Sequence, residues 1–124
     1  MARRKSVLLI DDEPDVTMLV SSLLEFNDYR VTTINDPLVV MELVRKETFD
    51  VIVTDIMMPN LDGMELLRQI LKSGKNNKVK LVALSAKDFR KEEYKFFIDN
   101  NVLIIKKPYE PQDLLDKING LFEE

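Results

Sequence analysis

Val51-Ile52-Val53-Thr54-Asp55-Ile56-Met57-Met58-Pro59-Asn60-Leu61-Asp62-Gly63 is an apolar run that ends on an acid and then breaks into a loop with its own Pro and Gly. A run without alternation suits a strand covered on both faces, as in a parallel sheet. Working outward, runs of the same aliphatic and β-branched character recur at 7–10, 31–34, 81–84 and 102–105, and four of the five are almost continuously apolar. Between them the period changes. Val16, Leu19, Val20, Leu23 and Leu24 mark one face of a helix, and Leu114, Leu115, Ile118, Leu121 and Phe122 repeat that spacing. Asp36-Pro37 supplies an N-cap and first-turn proline, Glu110-Pro111 a second proline start, and Asp62 with Glu65 a variant capping box. The remaining helices are expected over 63–73 and 88–99. The order is therefore (βα)5. Right-handed crossovers wind such a chain into a doubly wound α/β sandwich, with helices on both faces of one sheet.

A chain of 124 residues, 45% of them hydrophobic, is long enough for one domain whose core needs no disulfide or metal. That unit is expected to span 1–124, with its core at about 6–122. The chain has no Cys and no His, which excludes histidine-dependent triads, thiol nucleophiles and ordinary zinc or haem sites. Its chemistry must come from carboxylates, hydroxyls, lysines and backbone groups. The formal charge is −4; apart from Arg3-Arg4-Lys5, residues 6–124 carry 15 basic against 22 acidic groups, a net −7. A phosphate backbone is a poor partner for that balance, so nucleic acid is not expected to bind. The basic start reads as a solvated N-terminus. The apolar stretch behind it stops at Asp11-Asp12-Glu13, too short for a signal peptide, and nothing approaches membrane length. A cytoplasmic location without a membrane partner is expected.

In an open sheet of this kind, ligands bind beyond the carboxyl ends of the strands. The first strand is followed by Asp11-Asp12-Glu13, the third by Asp55, the fourth by Ser85 and the fifth by Lys106-Lys107-Pro108. After the second, Asn35-Asp36-Pro37 reads only as a helix cap. Taken singly, each of these is an ordinary turn, cap or loop residue. Together they put three carboxylates, a hydroxyl and an ammonium on one rim. Crowded carboxylates raise one another's pKa unless a cation intervenes. A few oxygen ligands select a hard ion such as Mg2+, which keeps several waters and shares a phosphoryl oxygen readily. A lysine and a serine across the cleft can hold two further phosphoryl oxygens, and an aspartate can itself be the acceptor.

On the motifs Val7-Leu8-Leu9-Ile10-Asp11-Asp12-Glu13-Pro14, Asp50-Val51-Ile52-Val53-Thr54-Asp55-Ile56-Met57-Met58-Pro59, Asp62-Gly63, Leu84-Ser85-Ala86 and Lys107-Pro108, the sequence resembles the receiver domain of two-component response regulators, over essentially its whole length. The resemblance implies a flavodoxin-like five-stranded parallel sheet in the order 2-1-3-4-5. It implies that Asp55 is the phosphoacceptor, that Asp12 ligates Mg2+ directly with Asp11 acting largely through water, and that the Met57 carbonyl completes the protein's share of the metal shell. Ser85 resembles the switch hydroxyl and Lys107 the lysine that pairs with a phosphoryl oxygen. Lys106 should face away, because neighbours on a strand point to opposite sides. Two features depart from the family. Ile104 stands where an aromatic residue is usual, and Asp99-Asn100-Asn101 replaces a common glycine before the fifth strand; Asn tolerates the left-handed turn.

The implied function is that of a signalling phosphoacceptor that assists its own modification, not an enzyme with an external substrate. Its partners would be a sensor histidine kinase or a histidine phosphotransfer protein, since this chain has no His to act as donor, and a downstream protein target. The alternative is a phosphorylation-independent protein-binding module on the same fold. A flavin carrier is a poor fit, because Asp11-Asp12-Glu13 would repel a flavin phosphate. Too few residues follow position 122 for an output domain, so DNA binding within the chain is not expected.

Overall fold

Alternation along each central strand sends successive side chains to opposite faces, and both faces are apolar because both are covered. In the computed structural model, which describes residues 4–58, 61–76 and 78–123, the strands are β1 (Ser6–Ile10), β2 (Arg30–Ile34), β3 (Val51–Asp55), β4 (Lys80–Ser85) and β5 (Leu103–Lys106). All pair in parallel in the order β2-β1-β3-β4-β5, the order the resemblance implies. Leu8, Ile10, Ile52, Leu81 and Ala83 enter one core cluster, while Val7, Leu9, Val51, Val53, Val82 and Leu84 enter the other. Arg3, Pro59 and Asn60, which the sequence reading used, lie outside the described residues.

Helices α1 (Pro14–Phe26) and α5 (Pro111–Leu121) close the second cluster through Val20, Leu24, Leu114 and Ile118. Helices α2 (Val40–Lys46), α3 (Gly63–Lys72) and α4 (Lys91–Asp99) close the first through Val40, Val44, Leu67, Ile70 and Phe97. Asp36 caps a 3-10 turn (Pro37–Val39) that leads into α2, accepting from the Leu38 N–H at 3.0 Å. Asp62 caps α3 by accepting from the N–H groups of Met64 and Glu65 at 2.9 and 3.4 Å. The reciprocal half of the expected box is replaced: Glu65 turns to Arg68 and Gln69, while Asp62 sits opposite Met57 in a two-residue antiparallel ladder.

Three expectations need correction. Leu19 is 61% exposed, because the face α1 buries is centred on Thr17, Val20 and Leu24 and leaves Leu19 at its margin. Helix α4 begins at Lys91, not 88. Phe89 turns inward against Phe97 and Tyr94, at 4.8 and 5.7 Å between ring centres, and the helix starts where the Arg90 N–H meets Glu93 Oε1 at 2.9 Å. The fifth run is covered on only part of its surface, since β5 is a sheet edge where Leu103 and Ile104 stay half-buried. The turn before it forms as expected. Asn101 takes the left-handed conformation, φ 56°, and the Val102 N–H reaches the Phe97 carbonyl at 2.8 Å.

Candidate functional site

Parallel register decides which strand ends meet. Ile10 lies beside Thr54, Asp55 beside Leu84 and Ser85 beside Lys106, so the residues that follow β1 and close β3 and β4 share the carboxyl rim with the exit from β5. Asp11 is fully buried and Asp55 is 4% exposed, while Asp12 is half-buried. Oxygens of these three carboxylates lie within 4.8 Å of one another.

Lys107 binds the cluster together. Its Nζ is 2.7 Å from Asp55 Oδ2, 3.4 Å from Asp11 Oδ2 and 4.0 Å from Glu13 Oε1, and its backbone N–H donates to the Ser85 carbonyl at 2.8 Å. The other oxygen of each acid is held by local backbone: Glu13 N–H donates to Asp11 Oδ1 and Met57 N–H to Asp55 Oδ1, both at 3.0 Å. Burial pushes the Asp11 carboxyl above its ordinary value, against the pull of the Glu13 N–H and the Lys107 charge. Burial opposes the charge on Lys107, but the hydrogen bond to Asp55 and the charges of Asp11 and Asp55 outweigh it and hold the ammonium above its ordinary value. Lys106 points away and pairs with Asp88, as strand alternation requires.

Asp11, Asp12, Asp55 and Lys107 are thus brought together, and Ser85 closes β4 beside them. The Ser85 hydroxyl is fully buried and turned to the following loop, donating to the Lys87 carbonyl at 3.2 Å and accepting its N–H at 3.1 Å. Met57, two residues past Asp55, is 57% exposed. Sequence reasoning missed Asn35. Its Nδ2 donates to the Asp11 carbonyl at 2.8 Å and to Thr17 Oγ1 at 3.0 Å, fastening the acidic turn to α1. Its position just past β2, level with the other rim residues, was the available signal. The Tyr109 hydroxyl is buried without a partner among the described residues, and burial together with the Asp11 charge pushes it up to about 12.

Three carboxylates at this spacing beside one ammonium form an oxygen-only donor set that fits a small hard cation. Residues 7–119 match the family model described as response regulator receiver domain. The chain is 31% identical over 115 residues to the response regulator MprA of Mycobacterium leprae, covering 93% of this chain and 50% of that protein. It therefore spans about half the length of the curated relatives it matches. A CheY-like response regulator receiver domain protein of Methanospirillum hungatei JF-1 superposes with a TM-score of 0.84 at 26% identity, over 95% of this chain and 93% of that one. The receiver domain of a sensor histidine kinase from Pseudomonas aeruginosa PAO1 superposes with a TM-score of 0.78 at 23% identity, over 94% and 96%; that structure holds a magnesium ion in its active site cleft.

Proposed function

This chain belongs to the receiver domain family of two-component response regulators, and from that premise we propose that Asp55 accepts a phosphoryl group from the phosphohistidine of a sensor kinase or phosphotransfer protein. The observation that carries the reading is the Lys107 ammonium 2.7 Å from Asp55 Oδ2, inside a cluster of three carboxylates. An Asp55 oxygen forms the new O–P bond as the donor's N–P bond breaks, and Lys107 neutralises a phosphoryl oxygen where it now neutralises the acid. Ser85 leaves the Lys87 backbone to donate to another phosphoryl oxygen. Asp12, Asp11 through water, Asp55 and the Met57 carbonyl would hold Mg2+, which supplies charge neutralisation for a dianionic group approaching an acidic rim. The magnesium-bearing relative supports this assignment. In this reading the receiver unit spans 1–124 with its core at 6–122, and it works as a signalling phosphoacceptor whose modified face binds a downstream protein. No described helix is long and apolar enough to cross a membrane.

Intact-mass measurement after incubation with phosphoramidate tests the reading. One phosphoryl mass should appear with Mg2+, far less with chelator, and none in Asp55→Asn. Modification of Asp55→Asn at the wild-type rate would assign the acceptor elsewhere. No uptake by the wild-type protein would leave docking without phosphorylation as the function.

A further inference from the structure

Met57 is the open side chain beside the phosphoacceptor candidate, two residues along the chain from Asp55. It donates its N–H to Asp55 Oδ1 at 3.0 Å and exposes 57% of its surface, on a cleft of about 630 Å3 that it lines with Lys87, Arg68 and Arg90. Its neighbours Met58 and Met64 are 6% and 7% exposed and contribute to the core. Met18 is as open as Met57, at 69%, but it lies on α1, which packs on the opposite face of the sheet. A small oxidant therefore reaches one thioether in this site and is kept from the two beside it. The chain has no Cys to compete for that oxidant.

We propose that Met57 is an oxidation site through which a hydroperoxide shortens the life of the phosphoryl group on Asp55. The inference rests on the phosphoacceptor reading above. The sulfur lone pair takes the terminal peroxide oxygen, the O–O bond breaks, and the departing alkoxide or hydroxide picks up the proton. The thioether is oxidised by two electrons to a sulfoxide, and the peroxide is reduced to an alcohol or water. The fold should tolerate the change because the side chain packs into no core. Its chemistry at the site changes more. A thioether is a weak acceptor, whereas a sulfoxide oxygen accepts strongly and can hold a water beside the group whose carboxylate the Met57 N–H already grips. One added hydrogen bond to the attacking water should speed hydrolysis about fivefold.

Treatment with hydrogen peroxide followed by peptide mass analysis should show one added oxygen on Met57 and Met18, with Met58 and Met64 lagging. The treated and untreated proteins are then phosphorylated with phosphoramidate and Mg2+, freed of donor, and followed by intact mass. Expected is an acyl phosphate that decays about fivefold faster after oxidation, with recovery after methionine sulfoxide reductase. In Met57→Leu the decay should no longer respond to peroxide, in Met18→Leu it should still respond, and Met57→Gln should decay fast without oxidant. A shielded Met57, or an oxidised Met57 with an unchanged decay rate, overturns this inference alone. No phosphoryl uptake by the untreated protein overturns it together with the proposed function.

Discussion

At the residue scale, the acids and the lysine of the rim were legible because each closes or follows a strand, and the end of a parallel strand points to one side of the sheet. What could not be read was the direction of side chains whose partners lie on other elements. Asn35 precedes Asp36-Pro37 and looks like part of a cap, yet its amide spans from the Asp11 carbonyl to Thr17 on α1. Losing both bonds should let the acidic turn drift. Asn35→Ala is expected to weaken Mg2+ binding several-fold and to cost about 1 kcal/mol of stability, the net worth of a typical hydrogen bond on an exposed side chain. Calorimetric titration that returns the wild-type affinity would remove Asn35 from the support of the site. Tyr109 runs the other way. Its buried hydroxyl has no partner among the described residues, and an unpaired buried hydroxyl costs more than it returns. Tyr109→Phe should therefore raise the urea midpoint with its slope unchanged, and a lower midpoint would mean that the hydroxyl is bonded in solution.

At the element scale, the five strands and the order of the helices were visible in their apolar periods, whereas the edges of elements were decided by packing between them. The margin of α1 at Leu19, the late start of α4 behind the inward Phe89 and the half-covered β5 all depend on which neighbours pack against them. The link from β3 to α3 is tighter still. A Cβ on Gly63 would stand 2.5 Å from the Ile56 carbonyl oxygen and 2.7 Å from its Cα, and both atoms belong to backbone that cannot swing aside. The same loop carries Met57, whose N–H holds Asp55. Gly63→Ala should accordingly destabilise the domain by about 2 kcal/mol, in the range of an overpacked core, and slow phosphorylation as well. Urea unfolding measures the first effect. A stability within experimental error of wild type would mean that the two backbone segments part at little cost, and the glycine would then be there for another reason.

For the molecule as a whole, the site sets a conflict between folding and function, and pH exposes it. Asp11 has a folded pKa above its ordinary 3.8 because it is buried, so the folded chain keeps its proton to a higher pH than the unfolded chain does. Stability from this group is greatest at or below 3.8, falls as pH rises through the folded pKa, and stays low above it. Lys107 is held above its ordinary 10.5, so its contribution is complete throughout the acidic and neutral range and disappears only as pH rises through that higher value. Between neutral pH and 3.8, the part of the pH response that Asp11→Asn removes therefore reports on Asp11. In chelator, the wild-type protein should gain stability relative to Asp11→Asn as the pH falls across that window. Excess Mg2+ should invert the comparison, because the proposed ion needs the ionised carboxylate and competes with the proton for it. The rise in melting temperature on adding Mg2+ should then be larger at pH 7.5 than at pH 5, and smaller in Asp11→Asn than in wild type at the higher pH. Equal Mg2+ shifts at both pH values, with the mutant matching wild type, would place the ion away from Asp11 and leave its burial without a role in metal binding.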